Sequence, residues 1–223
     1  ADAGEPVPRS ARPAAGGTWA EVGRARDVIG IVASTGGPAA LARILAGLPE
    51  RFPAAVLVAQ HIADGFAPTL ATWLDGLSPL RVRLAEEGAP VEAGTVLVAP
   101  DDLHVTVTPG RTVTLLSTPR VGGHRPSGTM LLASIADVFG AASVGVVLTG
   151  MGEDGAEGLA AIRRAGGATI AEDKSTCVVY GMPRAAWETG AAQRQLPLGE
   201  IPAALRLLAG DLEGEAGRGG REP

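Results

Sequence analysis

Three polar residues that could act together in hydrolysis each follow a predicted strand. Ser34 lies between the first predicted strand and a helix, His61 comes directly after the second strand, and Asp154 lies between the most apolar strand and a helix. Ligands of open parallel sheets bind beyond the carboxyl ends of the strands, so we expect the three side chains at one edge. The pattern predicts a serine hydrolase in which Ser34 is the nucleophile, His61 its base and Asp154 the acid that orients the base.

Each residue taken alone also has a structural interpretation. Ser34 or Thr35 could cap the following helix or help to bind phosphate, His61 could be an ordinary loop residue, and Asp154 could be a helix N-cap. The chain order Ser, His, Asp differs from that of α/β-hydrolases, chymotrypsin and subtilisin, and no G-x-S-x-G segment is present. We therefore expect a different fold that carries the same three residues.

A glycine pattern beside Asp154 favours a different class of protein. Residues 150–155 match G-x-G-x-x-G after a strand, and Asp173 follows about twenty residues later, as in dinucleotide-binding proteins. However, Glu153 and Asp154 would place two negative charges beside a pyrophosphate, and Ser34 would have no role. We keep dinucleotide binding as a weaker alternative and expect no cofactor and no metal.

The elements that must position these residues alternate along the chain between residues 27 and 211. Short β-branched or apolar runs predict strands, and apolar residues at helical spacing predict helices. The result is an α/β fold with a doubly wound, mainly parallel sheet, helices on both faces, and one antiparallel β-hairpin. The predicted strands are 28–32, 55–59, 96–99, 144–148 and 168–171, the hairpin is 104–108 with 112–117, and the helices are 38–48, 66–77, 127–139, 154–165 and 201–209.

Composition limits the domain organisation and the class of protein. Residues 1–26 and 212–223 have the Pro, Gly and Ala content of a disordered arm and tail, which leaves one domain at 27–211. The net charge of −5 argues against nucleic-acid binding. No apolar run reaches the ~18 residues of a membrane span, and we see no signal peptide, so we expect a cytoplasmic protein without membrane insertion. The single cysteine, Cys177, is expected to be a buried structural thiol.

Several segments together resemble the catalytic domain of the CheB family, the bacterial chemoreceptor glutamate methylesterases of two-component chemotaxis signalling. They occur in the family's order from residue 28 to about residue 205. The segments are Ala33-Ser34-Thr35-Gly36-Gly37-Pro38, Gln60-His61, Val98-Ala99-Pro100 with His104, His124-Arg125-Pro126-Ser127, Leu148-Thr149-Gly150-Met151-Gly152 with Asp154-Gly155-Ala156, and Tyr180-Gly181-Met182-Pro183-Arg184.

The resemblance implies hydrolysis of glutamate γ-methyl esters on the cytoplasmic helices of chemoreceptors, with release of methanol, and often deamidation of receptor glutamines. It assigns the nucleophile, base and orienting acid to Ser34, His61 and Asp154. It also implies that Thr35 and the backbone N–H of Met151 shape the site and stabilise the oxyanion. A non-catalytic receptor-binding module with the same fold is the main alternative.

Other features of the family bear on partners and on single positions. Relatives usually carry a phosphorylatable receiver domain, and residues 1–26 have only linker composition, so a receiver domain absent from this chain is a second expected partner. Glu153 stands where many relatives have a neutral residue, and Thr129 stands where an Asp is common. His104 and His124 are expected to serve structure or the rim of the site.

Overall fold

The computed structural model describes residues 25–211. The predicted tail and nearly all of the predicted arm lie outside the described residues. The strands are β1 (Val28–Ala33), β2 (Ala55–Gln60), β3 (Arg81–Leu84), β4 (Thr95–Val98), β5 (His104–Val107), β6 (Val113–Leu116), β7 (Ser143–Val147), β8 (Ala168–Glu172) and β9 (Arg194–Leu196). The helices are α1 (Gly37–Ala46), α2 (Ala67–Asp75), α3 (Gly128–Phe139), α4 (Ala156–Arg164), α5 (Met182–Glu188) and α6 (Ile201–Leu208), with a 3-10 turn at Gly140–Ala142.

Seven strands form one parallel sheet in the order β3-β4-β2-β1-β7-β8-β9. From the centre, the chain moves outward through β2 on one side and through β8 on the other. The order in which strands are added to the sheet therefore changes direction between β1 and β7. The loops after these two strands lead to opposite faces of the sheet. Such a reversal opens a crevice at the carboxyl ends of the strands, where doubly wound proteins bind ligands.

The central strands β1, β2 and β7 are apolar except at two strand ends, Gln60 and Ser143, because both faces of the sheet are covered. Ile29 and Ile31 pack into a core with the buried faces of α1, α2 and α6. Val28 and Val32 point to the other face, into a core with α3, α4 and α5. Side chains alternate between the two faces along a strand, and only apolar residues fit a strand buried on both sides. The predicted fold class is confirmed.

The predicted hairpin is also confirmed, and it forms a separate two-stranded sheet from β5 and β6. Val105, Val107 and Val113 pack into the core on the α3 side. The Val107 amide donates to the Ser134 hydroxyl of α3 at 3.0 Å. The hairpin thus covers α3 and brings His104 to the start of that helix.

Three elements are absent from the sequence prediction. The edge strand β3 is only partly buried, the edge strand β9 has three half-buried residues, and α5 is a short helix that begins at Met182-Pro183. These segments are short and lack the long apolar runs of the central strands. In the described residues 25–211, no helix is long and apolar enough to cross a membrane.

Cys177 corrects one expectation. The residue is only half-buried, and its neighbour Val178 is exposed. Burial, together with the nearby carboxyl groups of Glu172 and Asp173, raises the pKa of Cys177 to about 12. The protonated thiol is a poor nucleophile, so this residue does not compete with Ser34 for a catalytic role.

Candidate active site

Ser34 lies in a tight turn between β1 and α1. The Gly37 amide donates to the Ser34 carbonyl oxygen at 2.8 Å, and Gly36 has a φ of 83°, a left-handed conformation that favours glycine. Gly36 is also the N-cap of α1, and no side chain caps this helix. The capping interpretation of Ser34 and Thr35 is therefore wrong. The half-buried Ser34 is left at the strand end with its hydroxyl free of a capping role.

His61 and Asp154 form a direct hydrogen bond. Nε2 of His61 lies 2.9 Å from Oδ2 of Asp154, whose side chain is 3% exposed. The same carboxylate accepts hydrogen bonds from the Gly128 amide at 2.6 Å, the Thr129 amide at 3.0 Å and the Ser127 hydroxyl at 3.1 Å. The N-cap of α4 is Gly155, so Asp154 does not cap its own helix. It binds instead at the start of α3.

The hydrogen bonds decide the charge of Asp154. Burial works to raise its pKa, but the hydrogen bond from His61 and the amides of Gly128 and Thr129 outweigh burial and hold the pKa well below its usual range. The first turn of α3 supplies those amides, and the positive end of a helix favours an anion. Asp154 is therefore ionised at neutral pH.

The charge of Asp154 fixes the tautomer of His61. A carboxylate only accepts hydrogen bonds, so Nε2 of His61 carries the hydrogen and Nδ1 keeps its lone pair. Nδ1 is buried and has no hydrogen-bond partner among the described residues. In the usual Ser-His-Asp arrangement the acid binds Nδ1 and Nε2 serves as the base. In this site the acid binds Nε2 instead, so Nδ1 is the atom available to accept a proton.

Ser34 and His61 lie at neighbouring strand ends. The register pairs Ala33 with Gln60, and the His61 amide extends the ladder by donating to the Ala33 carbonyl at 2.9 Å. The next residues along the two strands, Ser34 and His61, are therefore adjacent. The structure shows no hydrogen bond between the Ser34 hydroxyl and the His61 ring within residues 25–211. Catalytic hydrogen bonds are often formed only when substrate is bound.

Gln60 connects the two strand ends, a role that the sequence pattern does not reveal. The residue is 3% exposed, and its Nε2 donates to the carbonyl oxygens of Ser34 and His61, each at 2.8 Å. Its Oε1 lies where a side chain on Gly37 would have to be, 2.0 Å from an ideal Cβ. A buried amide at the end of an apolar strand is the only sequence signal for this role.

Thr149, directly after β7, holds the other side of the Ser34 turn. Its carbonyl accepts from the Ser34 amide at 3.0 Å, and its hydroxyl donates to the Thr35 carbonyl at 2.9 Å. The same hydroxyl accepts from the Val179 amide at 2.9 Å, and the Thr149 amide donates to buried Glu172 at 2.8 Å. Three strand ends are thereby fixed around Ser34.

Thr35 and Met151, the predicted site-shaping residues, lie on either side of this turn. Both are exposed, and the Met151 side chain is 73% exposed. The preceding residue, Gly150, packs against Ser34: an ideal Cβ on it would lie 2.7 Å from the Ser34 Cβ and 2.3 Å from the Met182 sulfur. The backbone at residues 150–151 therefore approaches the Ser34 turn as closely as a glycine allows.

A second serine and histidine lie near Asp154. The Ser127 hydroxyl donates to Asp154 and caps α3 by accepting from the Met130 amide at 3.3 Å. Nδ1 of His104 accepts from the Ser127 backbone amide at 3.1 Å, and its Nε2 donates to the Pro119 carbonyl at 3.1 Å, so both ring nitrogens are occupied by backbone groups. Both side chains are completely buried. This grouping is structural, in agreement with the expectation for His104.

Thr129 and Glu153 are the two departures from the family pattern. The Thr129 hydroxyl accepts from the Gly155 amide at 2.9 Å, at the N-cap of α4. Thr129 therefore supplies a hydrogen-bond acceptor at this position, although it has no carboxylate. The side chain of Glu153 is exposed beside the buried Asp154.

His124 lies against the other side of the site. Its ring stacks on the ring of His61, with 3.9 Å between the centroids and 7° between the planes. His124 is half-buried, as expected for a residue at the rim of the site.

Comparison with known proteins identifies the family. A family model described as CheB methylesterase matches residues 29–205. The chain is 52% identical over 182 residues to a protein-glutamate methylesterase/protein-glutamine glutaminase of Anaeromyxobacter dehalogenans, covering 82% of this chain and 53% of the relative. It is 45% identical over 181 residues to one of Pyrococcus horikoshii, covering 80% of this chain and 49% of the relative.

The same family is found among solved structures. The catalytic domain of Thermotoga maritima CheB methylesterase superposes with a TM-score of 0.80 at 39% identity, covering 83% of this chain and all of that domain. The chain spans about half the length of the curated relatives named above. On these matches and on the fold, the chain belongs to the CheB methylesterase family.

Proposed function

We propose that this protein is a protein-glutamate methylesterase that hydrolyses glutamate γ-methyl esters on the cytoplasmic helices of chemoreceptors. Its relatives are also named protein-glutamine glutaminases, and on that basis the proposal includes deamidation of receptor glutamines. The observation that carries the proposal is the His61–Asp154 hydrogen bond, which leaves a buried, unpartnered Nδ1 at the strand end beside Ser34. The proposed site of action is cytoplasmic, because the substrate helices are.

The proposed reaction follows from the tautomer of His61. Nδ1 takes the proton of the Ser34 hydroxyl while the oxygen attacks the ester carbonyl carbon. The imidazolium that forms is stabilised by Asp154 through Nε2–H. It then donates the Nδ1 proton to the leaving methoxide, which departs as methanol and leaves an acyl group on Ser34. Nδ1 next accepts a proton from water, whose hydroxide attacks the acyl carbon. The same proton returns to Ser34, and glutamate is released.

Thr35 and Met151 are proposed to support the oxyanion. The Met151 backbone N–H makes no hydrogen bond within residues 25–211 and lies next to Gly150, which packs on Ser34. A free backbone N–H near the nucleophile is the kind of donor that stabilises a tetrahedral intermediate. In other hydrolases, the loss of one such donor lowers the rate by about 10²–10³-fold.

The dinucleotide-binding alternative has lost its support. Asp154, inside the glycine pattern, is bound to His61 and to the start of α3. Asp173 binds its own loop, through the Ser175 amide at 2.9 Å and the Ser175 hydroxyl at 2.6 Å. The proposed hydrolase uses Asp154 as the acid that orients His61, and it gives Asp173 no role in catalysis.

Methanol release from methylated chemoreceptor membranes tests the proposed function. We expect the wild-type chain to release methanol and Ser34→Ala to fall to background, because removal of the nucleophile costs about 10⁶-fold in serine hydrolases. Ser78→Ala is the matched control, since Ser78 lies in a loop and its hydroxyl accepts only from the Leu80 amide at 3.0 Å. Wild-type release by Ser34→Ala, or no release by the wild-type chain, would contradict the proposal.

A further inference from the structure

The imidazole rings of His61 and His124 stack face to face in close contact. The two rings are nearly parallel, 7° apart, and their centroids are separated by 3.9 Å. Among residues 25–211, the His61 ring has one hydrogen bond, to Asp154, and one stacking contact, to His124.

The two contacts restrict different motions of the His61 ring. The hydrogen bond fixes Nε2 but leaves the ring free to turn about the line from Nε2 to Asp154. Such a turn would swing Nδ1 away from its position while the hydrogen bond persisted. A parallel ring at van der Waals distance blocks that turn, because it contacts the whole face of the imidazole. Together they define where Nδ1 lies.

His124 is itself held firmly in place. Its amide donates to the Val121 carbonyl at 3.0 Å, and its carbonyl accepts from the Val121 amide at 3.1 Å. The next residue, Arg125, binds both carboxylate oxygens of Asp102, at 2.9 Å and 2.6 Å. Arg125 also donates to the carbonyls of Ser117 and Thr118. Hydrogen bonds therefore fix the loop on both sides of His124.

The charges around His124 favour its neutral form. Burial lowers the pKa of His124, and so do His61 when it is protonated and the positive charge of Arg120, although Asp154 acts in the opposite direction. A neutral ring can remain stacked when His61 becomes an imidazolium, whereas a second positive charge would repel it.

We propose that His124 is a positioning residue that sets the plane of the His61 ring and thereby keeps Nδ1 aligned with Ser34. This inference rests on the proposed function only in taking His61 as the base of Ser34. It assigns no contact between His124 and the ester, so its effect belongs to the chemical step and not to substrate binding.

Labelling of Ser34 by a fluorophosphonate tests the inference without an ester substrate. The full chain is compared with His124→Ala, His124→Phe and His124→Leu, measuring the maximal labelling rate and the half-saturating probe concentration. We expect His124→Ala to lower the maximal rate by roughly 10–100-fold, since a small misplacement of a reacting group has that effect. The half-saturating concentration should hardly change. His124→Phe should restore most of the lost rate, because it offers a flat ring. His124→Leu, of similar size but not flat, should not.

Four results would overturn the inference. Equal rates for His124→Leu and His124→Phe would show that the residue only fills space. A His124→Phe variant no better than His124→Ala would show that imidazole chemistry is needed, and a change confined to the half-saturating concentration would indicate contact with the ligand. An unchanged rate in a folded His124→Ala variant would also overturn it.

Nitrogen-15 NMR of the His61 ring provides a readout that a general loss of stability would not move. Wild type and folded His124→Ala should both keep the hydrogen on Nε2, because Asp154 fixes the tautomer, but the Nδ1 signal of His124→Ala should be broadened by exchange between ring orientations. An Nδ1 signal equally sharp in wild type and in His124→Ala would contradict the inference. If the wild-type chain is labelled by the phosphonate but releases no methanol from methylated receptors, the proposed function fails while this inference can still be measured.

Discussion

At the scale of single residues, the site depends on one buried carboxylate. Asp154 is a charge in the protein interior, and such a charge is tolerated only when its hydrogen-bonding capacity is filled. Four donors fill it: His61, Ser127, Gly128 and Thr129. Because three of the donors are fixed by the start of α3, the carboxylate has little freedom to rotate. It can therefore hold His61 in one tautomer.

Asp154→Asn tests this dependence directly. An amide at this position can present an N–H to His61 and favour the wrong tautomer, so we expect the esterase rate to fall by about 10⁴-fold, as in other triads. Asp173→Asn is the matched control, because the Asp173 carboxylate binds Ser175 in its own loop, and the variant should keep the wild-type rate. Comparable rates for the two variants would show that Asp154 does not orient the base.

The pKa of Asp154 also predicts a pH dependence of stability. Its folded-state pKa lies below the unfolded value of about 3.9, so the ionised carboxylate stabilises the fold above that value. This stabilisation is lost as the pH falls through the unfolded value toward the folded one. Urea unfolding at pH 7 and at about pH 3 should show a stability difference between wild type and Asp154→Asn that shrinks at the lower pH. A difference that is constant or grows would contradict the depressed pKa.

At the scale of elements, the site is made by three strand ends and the start of one helix. β1 presents Ser34, β2 presents His61, and the loop after β7 presents Asp154 to the first turn of α3. The sheet order makes β1 the neighbour of both β2 and β7, so these loops meet at the switch point. The apolar runs of the strands therefore predict where the site lies, because they determine where each strand ends.

Gln60→Met should weaken the connection between the ends of β1 and β2, and it changes the size of the side chain only a little. The variant removes the Nε2 donor to the carbonyls of Ser34 and His61, and we expect a loss of about 1–3 kcal/mol in the free energy of unfolding together with slower labelling of Ser34.

Thr169→Val provides the control for this effect. Thr169 is buried in β8 and its hydroxyl donates to the Ala191 carbonyl at 2.8 Å, so the variant also loses a buried donor, away from the strand ends that carry the site. Both variants should be destabilised, but only Gln60→Met should lose reactivity. Equal labelling rates in the two would show that Gln60 has no specific effect on the site.

At the scale of the whole molecule, the central sheet and the three proposed catalytic residues follow from the sequence, whereas the residues that hold them do not. β1, β2 and β7 are long apolar runs, and such runs are diagnostic of buried parallel strands. The edge strands β3 and β9 are short and partly exposed, so they have no such signal. The roles of Gln60 and His124 depend on contacts between distant segments, which spacing along the chain does not encode. The apolar neighbours of Cys177 predict a buried thiol, but the residue is only half-buried and the adjacent Val178 is exposed.

We propose that Ser34 is the nucleophile and that the His61–Asp154 pair activates it. Peptide mass spectrometry of the full chain after reaction with a fluorophosphonate tests it most directly. We predict a single adduct on the peptide that contains Ser34, no adduct in Ser34→Ala, and a strongly slowed reaction in Asp154→Asn. An adduct on Ser127 or on another serine, or undiminished labelling of Ser34→Ala, would contradict the claim.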